Sequence, residues 1–298
     1  MSEEVKATLQ EDEGQAGEGR LIWMNGRLMS DFEAVVSPFD HGLLTGDGVF
    51  ETLGAYEGKV FAMSRHYRRL LKSAAGLGLD VPGRELLENA CYRVVEGNRL
   101  GRRARVRITI TGGEAPLGSE KGEAPPTTIV AAARAPKWAD TGTVVSVPFT
   151  RNEKGALVGM KTTSYGENVV ALAYAKERGG DEAIFANTRG ALCEGTGSNI
   201  FLVEGEEVLT PPLSSGCLGG ITRELVLEIC QQEGVLVREE LIPMETLKNF
   251  DEAFLTSSTR EVQGIGAIDG RSLPNAPGLI TAKLGEAFSR LVATNPDP

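Results

Sequence analysis

Lys161 is followed at intervals by residues that complement an amine. Thirty-three positions later stands Glu194, in Cys193-Glu194-Gly195-Thr196-Gly197-Ser198-Asn199. Leu218-Gly219-Gly220-Ile221-Thr222-Arg223 then sets a glycine turn at the start of a helix-like run, and Arg69 precedes them all in His66-Tyr67-Arg68-Arg69-Leu70. A lysine amine can form a Schiff base with an aldehyde. A carboxylate can keep a ring nitrogen protonated, which makes the ring an electron sink. An arginine and a helix N-terminus can hold a phosphate. Aldehyde, ring nitrogen and phosphate are the three handles of pyridoxal phosphate.

Each residue alone has an ordinary reading. Most of the 31 lysines and arginines must be solvated surface charges. Glu194 could be a loop acid after a strand, and Thr222 a plain helix cap. The set together with its local wording carries more. Met160-Lys161-Thr162-Thr163-Ser164-Tyr165-Gly166-Glu167-Asn168 leads into a helix with Lys161 just before it, and Glu194 ends a strand-like run at a loop of small residues.

From about Ile22 to about Phe288 the sequence resembles the class IV, or fold type IV, pyridoxal-phosphate enzymes. These include branched-chain aminotransferases, D-amino acid aminotransferases and 4-amino-4-deoxychorismate lyases. The resemblance rests on Asp40-His41-Gly42 with Gly46-Asp47-Gly48-Val49-Phe50-Glu51, on His66-x-x-Arg69-Leu70 and on Lys161. It continues through Glu194-Gly195-x-x-Ser198-Asn199-Ile200-Phe201, Gly220-Ile221-Thr222-Arg223 and Thr256-Ser257-Ser258-Thr259. It implies an α+β fold of two domains, a small N-terminal α/β domain and a larger one with a β-barrel-like core flanked by helices. It also implies a homodimer with active sites at the interface, and amino acid and 2-oxo acid substrates. Lys161 would bind the cofactor and then, once free, move the substrate α-proton, which requires a lowered lysine pKa. Glu194 would face the pyridine nitrogen. Ile221 and Thr222 would offer N–H groups to the phosphate, Arg69 an ion pair and Ser258 a hydroxyl. Leu218 would pack on a ring face and Tyr165 would reach the ring oxygen.

On the substrate side, Arg103, Arg105 and Arg107 share the polar face of one strand. Such a stripe could receive a carboxylate bidentately, or could be a solvated outer face. By family position Arg105 and Arg107 fall on the active-site strand, with Phe50 and Thr259 as further substrate contacts. The loop Gly112–Pro126 lacks both the Arg-x-His pair of typical D-amino acid aminotransferases and the arginine of the lyases' glycine-rich loop. Thr52 stands where the lyases carry a threonine that assists proton delivery, although threonine also suits a strand. The expected activity is therefore amino transfer between an amino acid and a 2-oxo acid, with an aminodeoxychorismate lyase as the alternative.

Composition bounds the rest. The 298 residues suit one large or two medium domains. With 41 acidic against 31 basic residues, the net charge of −10 argues against a general nucleic-acid or acidic-membrane binder. No apolar run approaches the ~20 residues that span a bilayer. The acidic N-terminus has no apolar core of a secretory signal. Cys91, Cys193, Cys217 and Cys230 are scattered without metal spacing, and the only histidines are His41 and His66, so no metal site is expected and reduced cytoplasm fits.

The elements that must position these residues follow from local pattern. Residues 1–19 are polar and acidic and read as a disordered tail. The N-terminal domain is expected over 20–134, a linker over 135–142 and the cofactor domain over 143–298. Asn25-Gly26 between apolar runs signals a hairpin. A second strand pair is expected over Val49–Tyr56 and Val60–Met63, with Ser64 capping the next helix. A further helix is expected over 86–95, a half-buried strand over Arg103–Thr111 and a buried strand over Thr127–Ala133. Beyond the linker the pattern gives strands at 144–148, 183–186, 199–203, 208–210, 236–238 and 252–256. Helices are expected at 167–177, at 222–233 and after Pro277, with that proline in the first turn.

Overall fold

The computed structural model describes residues 19–298, and the acidic residues 1–18 lie outside that range. Strands from the first 134 residues form one antiparallel sheet. β1 (Leu21–Met24) and β2 (Arg27–Ser30) meet through Asn25-Gly26 at φ 46° and 91°, the left-handed pair that matches the twist of a hairpin. β3 (Gly48–Tyr56) turns into β4 (Lys59–Val60) through Glu57-Gly58. With β5 (Arg103–Thr111) and β6 (Thr127–Arg134) the order is β2-β1-β6-β5-β3-β4. Helix α1 (His41–Leu44) is one turn long, and α2 (Met63–Leu77) and α3 (Arg84–Gly97) cover one face of the sheet.

Period-two alternation decides that face. Val49, Leu53, Val106, Ile108 and Ile110 pack against Leu70, Ala74, Leu87, Cys91 and Val94 of the helices. Phe50, Thr52, Arg107 and Thr109 share the opposite face, because Phe50 pairs with Thr109 and Thr52 with Arg107. β6 was expected to be buried throughout. Instead it alternates, since helices cover it on one side only.

The start of α2 also differs from expectation. Phe61–Met63 do not extend β4: Ala62 takes φ 55° and precedes the helix directly. Ser64 is not the cap but is itself capped. The Asp297 carboxylate accepts its N–H at 2.8 Å and its hydroxyl at 2.5 Å, while the Pro296 carbonyl accepts the Ala62 N–H at 2.7 Å. A cap that arrives from more than 230 residues away leaves no local pattern in the sequence.

The second half builds a nine-stranded mixed sheet. Its strands are β7 (Thr141–Arg151), β8 (Glu182–Asn187), β9 (Leu192–Gly195), β10 (Asn199–Glu204), β11 (Glu207–Thr210), β12 (Val237–Glu239), β13 (Glu252–Ser257), β14 (Glu261–Ile268) and β15 (Arg271–Ser272). The order is β12-β11-β10-β13-β14-β7-β8-β9, with β15 beside β14. β7 takes Thr141 and Gly142 out of the expected linker and runs on to Arg151. β14 was not expected. It lies between β13 and β7, and its Gly264 and Gly266 leave it without an alternating pattern. A Cβ at either glycine would sit about 3.0–3.1 Å from Thr141 or Pro277, so the close neighbours account for the glycines.

Helices α4 (Gly166–Lys176), α5 (Ile221–Gln232) and α6 (Leu279–Thr294) flank this sheet. α6 begins two residues after Pro277 rather than around it. The halves are not sealed from each other: Phe61 and Ala62 pack among residues of α5 and α6, with the Phe61 and Phe288 rings 5.8 Å apart. Among the described residues no helix is long and apolar enough to cross a membrane. All four cysteines are buried free thiols.

Candidate active site

The seam between the halves is made by the backbone around Lys161. The Phe50 N–H donates to the Lys161 carbonyl at 3.0 Å and the Thr163 N–H to the Gly48 carbonyl at 2.8 Å, so this segment runs along the start of β3. The Lys161 N–H donates to the Ser73 hydroxyl of α2 at 3.0 Å. Its side chain is thereby aimed into a cavity of about 1010 Å³ lined by residues of both halves. The amine donates to the Tyr165 hydroxyl at 3.2 Å and stands 4.3 Å from the centre of the Phe50 ring. Tyr165 also meets Phe50 edge to face at 5.0 Å.

Glu194 enters the same cavity from the end of β9. Its carboxylate accepts the Leu218 N–H at 2.8 Å and lies 3.2 Å from Nε of Arg151. Burial pushes this carboxyl above its ordinary range, against the opposing pull of Arg151, the Leu218 N–H and Lys161. A carboxylate in that condition is stabilised by any further N–H donor brought against it. Arg151 was not singled out from sequence. It donates to the side-chain amide oxygen Oδ1 of Asn168 at 3.2 Å and stacks over Phe185 at 4.3 Å.

The third group gathers where α5 begins. Ile221 and Thr222 are its first residues, behind Gly220, and among the described residues no side chain caps them. Their N–H groups are therefore free to meet an anion, with the helix dipole behind them. Ser258 and Thr259 form the turn after β13 and line the cavity, as does Thr256, whose buried hydroxyl has no hydrogen-bond partner among the described residues. Arg69 reaches the cavity from α2, but its Nε and one terminal nitrogen hold Glu51 at 2.7 and 2.6 Å, and the other donates to the Gly219 carbonyl at 2.9 Å.

Of the sequence-selected residues, Phe50, Thr52, Arg69, Arg107, Lys161, Tyr165, Glu194, Leu218, Ile221, Thr222, Ser258 and Thr259 all line this one cavity. Arg105 does not. It stands two residues along β5 from Arg107, opposite Gly54, beyond the cavity wall. Arg107 lies over the Phe50 ring at 3.6 Å, and burial lowers its pKa. Arg103 is taken by Glu261 at 2.7 Å and by the Thr259 carbonyl at 3.0 Å.

The donor set fits a phosphorylated pyridine aldehyde. An amine, a buried carboxylate of raised proton affinity and an uncapped helix N-terminus with an unpartnered hydroxyl nearby face one space. Comparison with known proteins agrees with that class. The family model for class IV aminotransferases matches residues 48–268, and the chain belongs to this family.

A protein of Methanocaldococcus jannaschii, provisionally named a branched-chain-amino-acid aminotransferase, is 36% identical over 273 residues, 90% of this chain and 94% of its own. A D-alanine aminotransferase of Bacillus licheniformis is 31% identical over 277 residues, 91% of this chain and 96% of its own. Among solved structures, a branched-chain aminotransferase from Thermoproteus uzoniensis with norvaline superposes with a TM-score of 0.87 at 34% identity, covering 93% of this chain and 95% of the other. The chain accordingly has the mixed α/β fold of type IV aminotransferases.

Proposed function

We propose that the protein is a pyridoxal-phosphate aminotransferase that takes nitrogen from an amino acid and gives it to a 2-oxo acid in ping-pong order. The observation that carries this reading is the convergence of the Lys161 amine, the Glu194 carboxylate and the N-terminus of α5 on one cavity. When bound, the cofactor supplies the electron sink for breaking the bond to the α-hydrogen. Lys161 holds the cofactor covalently and, when released, carries a proton at its Nζ. Glu194, steadied by Arg151 and the Leu218 N–H, keeps the ring nitrogen protonated. Ile221, Thr222, Ser258 and Arg69 fix the phosphate end, and Leu218 supports a ring face. Tyr165 orients the lysine amine through the contact at 3.2 Å. Arg107 and Thr259 take the substrate carboxylate.

The test is the absorbance of the yellow holoenzyme as single L- and D-amino acids are added without an oxo acid. Lasting loss of the yellow form with one donor is the expected outcome and identifies that donor's class and handedness. A protein that cannot be made yellow with pyridoxal phosphate would remove the cofactor assignment. Thr52 favours a second reading, because it lines the cavity beside Arg107 in the strand register. A yellow protein indifferent to every donor would favour elimination of pyruvate from aminodeoxychorismate, leaving 4-aminobenzoate.

Three further assignments belong to the same reading. The division at 135–140, the expected linker less the two residues that β7 takes, separates a small N-terminal domain from the cofactor domain. Four buried free thiols suit a reducing compartment, the cytoplasm. The protein is a homodimer: Phe32, Val35, Phe39 and Leu43 are between 52% and 85% exposed within twelve residues, and Leu43 also lies on the cavity wall. Such a run is unusual for a monomer. Light scattering should therefore give twice the chain mass, and an active species of single-chain mass would contradict it.

A further inference from the structure

Behind two walls of the cavity lies a buried ion pair that no cofactor role accounts for. Glu182, at the start of β8, and Arg260, just after the Ser258–Thr259 turn, meet at 3.3 Å with side chains only 3% and 6% exposed. The Glu182 carboxylate accepts the Thr196 N–H at 3.0 Å, the Thr196 hydroxyl, and the Ser198 hydroxyl at 3.1 Å. It thus holds the loop that follows Glu194. This contact also explains Gly195 and Ser198 in that loop. A Cβ on Gly195 would come within 2.4 Å of the Ser198 Oγ and 3.1 Å of the Glu182 Cγ.

Arg260 holds the other wall. Its N–H donates to the Ser257 hydroxyl at 3.1 Å and closes the turn. Its guanidinium donates to Gln263 at 2.5 Å and to the Asp181 carbonyl at 3.2 Å, and it stacks on the Trp138 ring at 3.7 Å. Four anchors on one side chain, with the backbone N–H as a fifth contact, fix the chain immediately after Ser258 and Thr259.

We propose that Arg260, paired with Glu182, is a positioning residue for the phosphate-holding turn. It keeps the Ser258 hydroxyl where a phosphate can receive it while Glu182 separately holds the loop beside the ring. This rests on the cofactor reading above. A buried ion pair is weak evidence of stabilisation in itself, because desolvation offsets the attraction. Its geometric consequence is stronger, since small displacements of binding groups are costly.

The test compares equilibrium affinity for pyridoxal phosphate with that for pyridoxal, which lacks the phosphate, in the parent and in Arg260→Met. Pyridoxal-phosphate affinity should fall about tenfold or more, while pyridoxal affinity stays within about twofold. Glu182→Gln with Arg260→Met removes the unpaired buried charge and guards against simple misfolding. The same selective loss is expected there even where the melting temperature recovers. Equal loss for both ligands, no loss for either, or affinity that recovers with melting temperature would overturn the proposal. A parent that binds both ligands equally would overturn the cofactor reading itself and this inference with it.

Discussion

Lys161→Ala should lose amino-transfer turnover by about 10³-fold or more, with the fold intact. The side chain touches the Tyr165 hydroxyl and the Phe50 ring, and among the described residues it makes no ion pair. The bonds that stitch this segment to Ser73 and β3 are made by backbone atoms, which alanine keeps. Circular dichroism and melting temperature should therefore change little while single-turnover rates collapse. Exogenous methylamine should restore part of the proton transfer and none of the covalent attachment. Residual turnover near that of the parent would end the aminotransferase reading, because among the described residues no other lysine lines the cavity.

The largest stability effect should come from Glu51→Gln. Glu51 lies on β3 with its side chain fully buried under α2, held by Arg69 at 2.6 and 2.7 Å and by His66 at 2.7 Å. Burial alone would raise its pKa, but the charge and hydrogen bonds of Arg69, then those of His66, bring it down to about 2. Removing one partner of such a pair costs about 3–5 kcal/mol, because the remaining charge stays buried. For a chain of this size that corresponds to roughly 5–8 °C in melting temperature.

The pH dependence follows from the sign of the shift. A lowered folded-state pKa contributes stability that is present above the ordinary carboxylate value of 4.5 and is lost as pH falls toward about 2. The gap in urea midpoint between parent and variant should be wide at pH 7 and narrower at pH 3. Equal midpoints for the two proteins at pH 7 would show that the buried pair contributes nothing.

Local pattern made much of this molecule legible. Asn25-Gly26 specified a turn because few residues tolerate two successive positive φ values. The apolar residues of β5 specified a buried face because strand side chains alternate. Lys161, Glu194 and Ile221-Thr222 could be singled out as a set with its local wording, and the family resemblance that the set carries added Ser258. Pattern reasoning failed where a residue's environment is supplied from elsewhere in the chain. β14 carries glycines because Pro277 and Thr141 crowd it, and Ser64 is capped by Asp297.

What the sequence by itself determined is the inventory: an amine, a carboxylate, a glycine turn before a helix and a hydroxyl turn. Only the tertiary structure decided which charges those groups meet. It set Arg151 beside Glu194, Glu51 on Arg69, Glu182 under Arg260, and Arg107 rather than Arg105 in the cavity wall. The physical reason is that a helix or strand is selected by neighbours within a few residues. The state of a buried charge is selected by desolvation and by partners within about 4 Å, which can come from any distance along the chain.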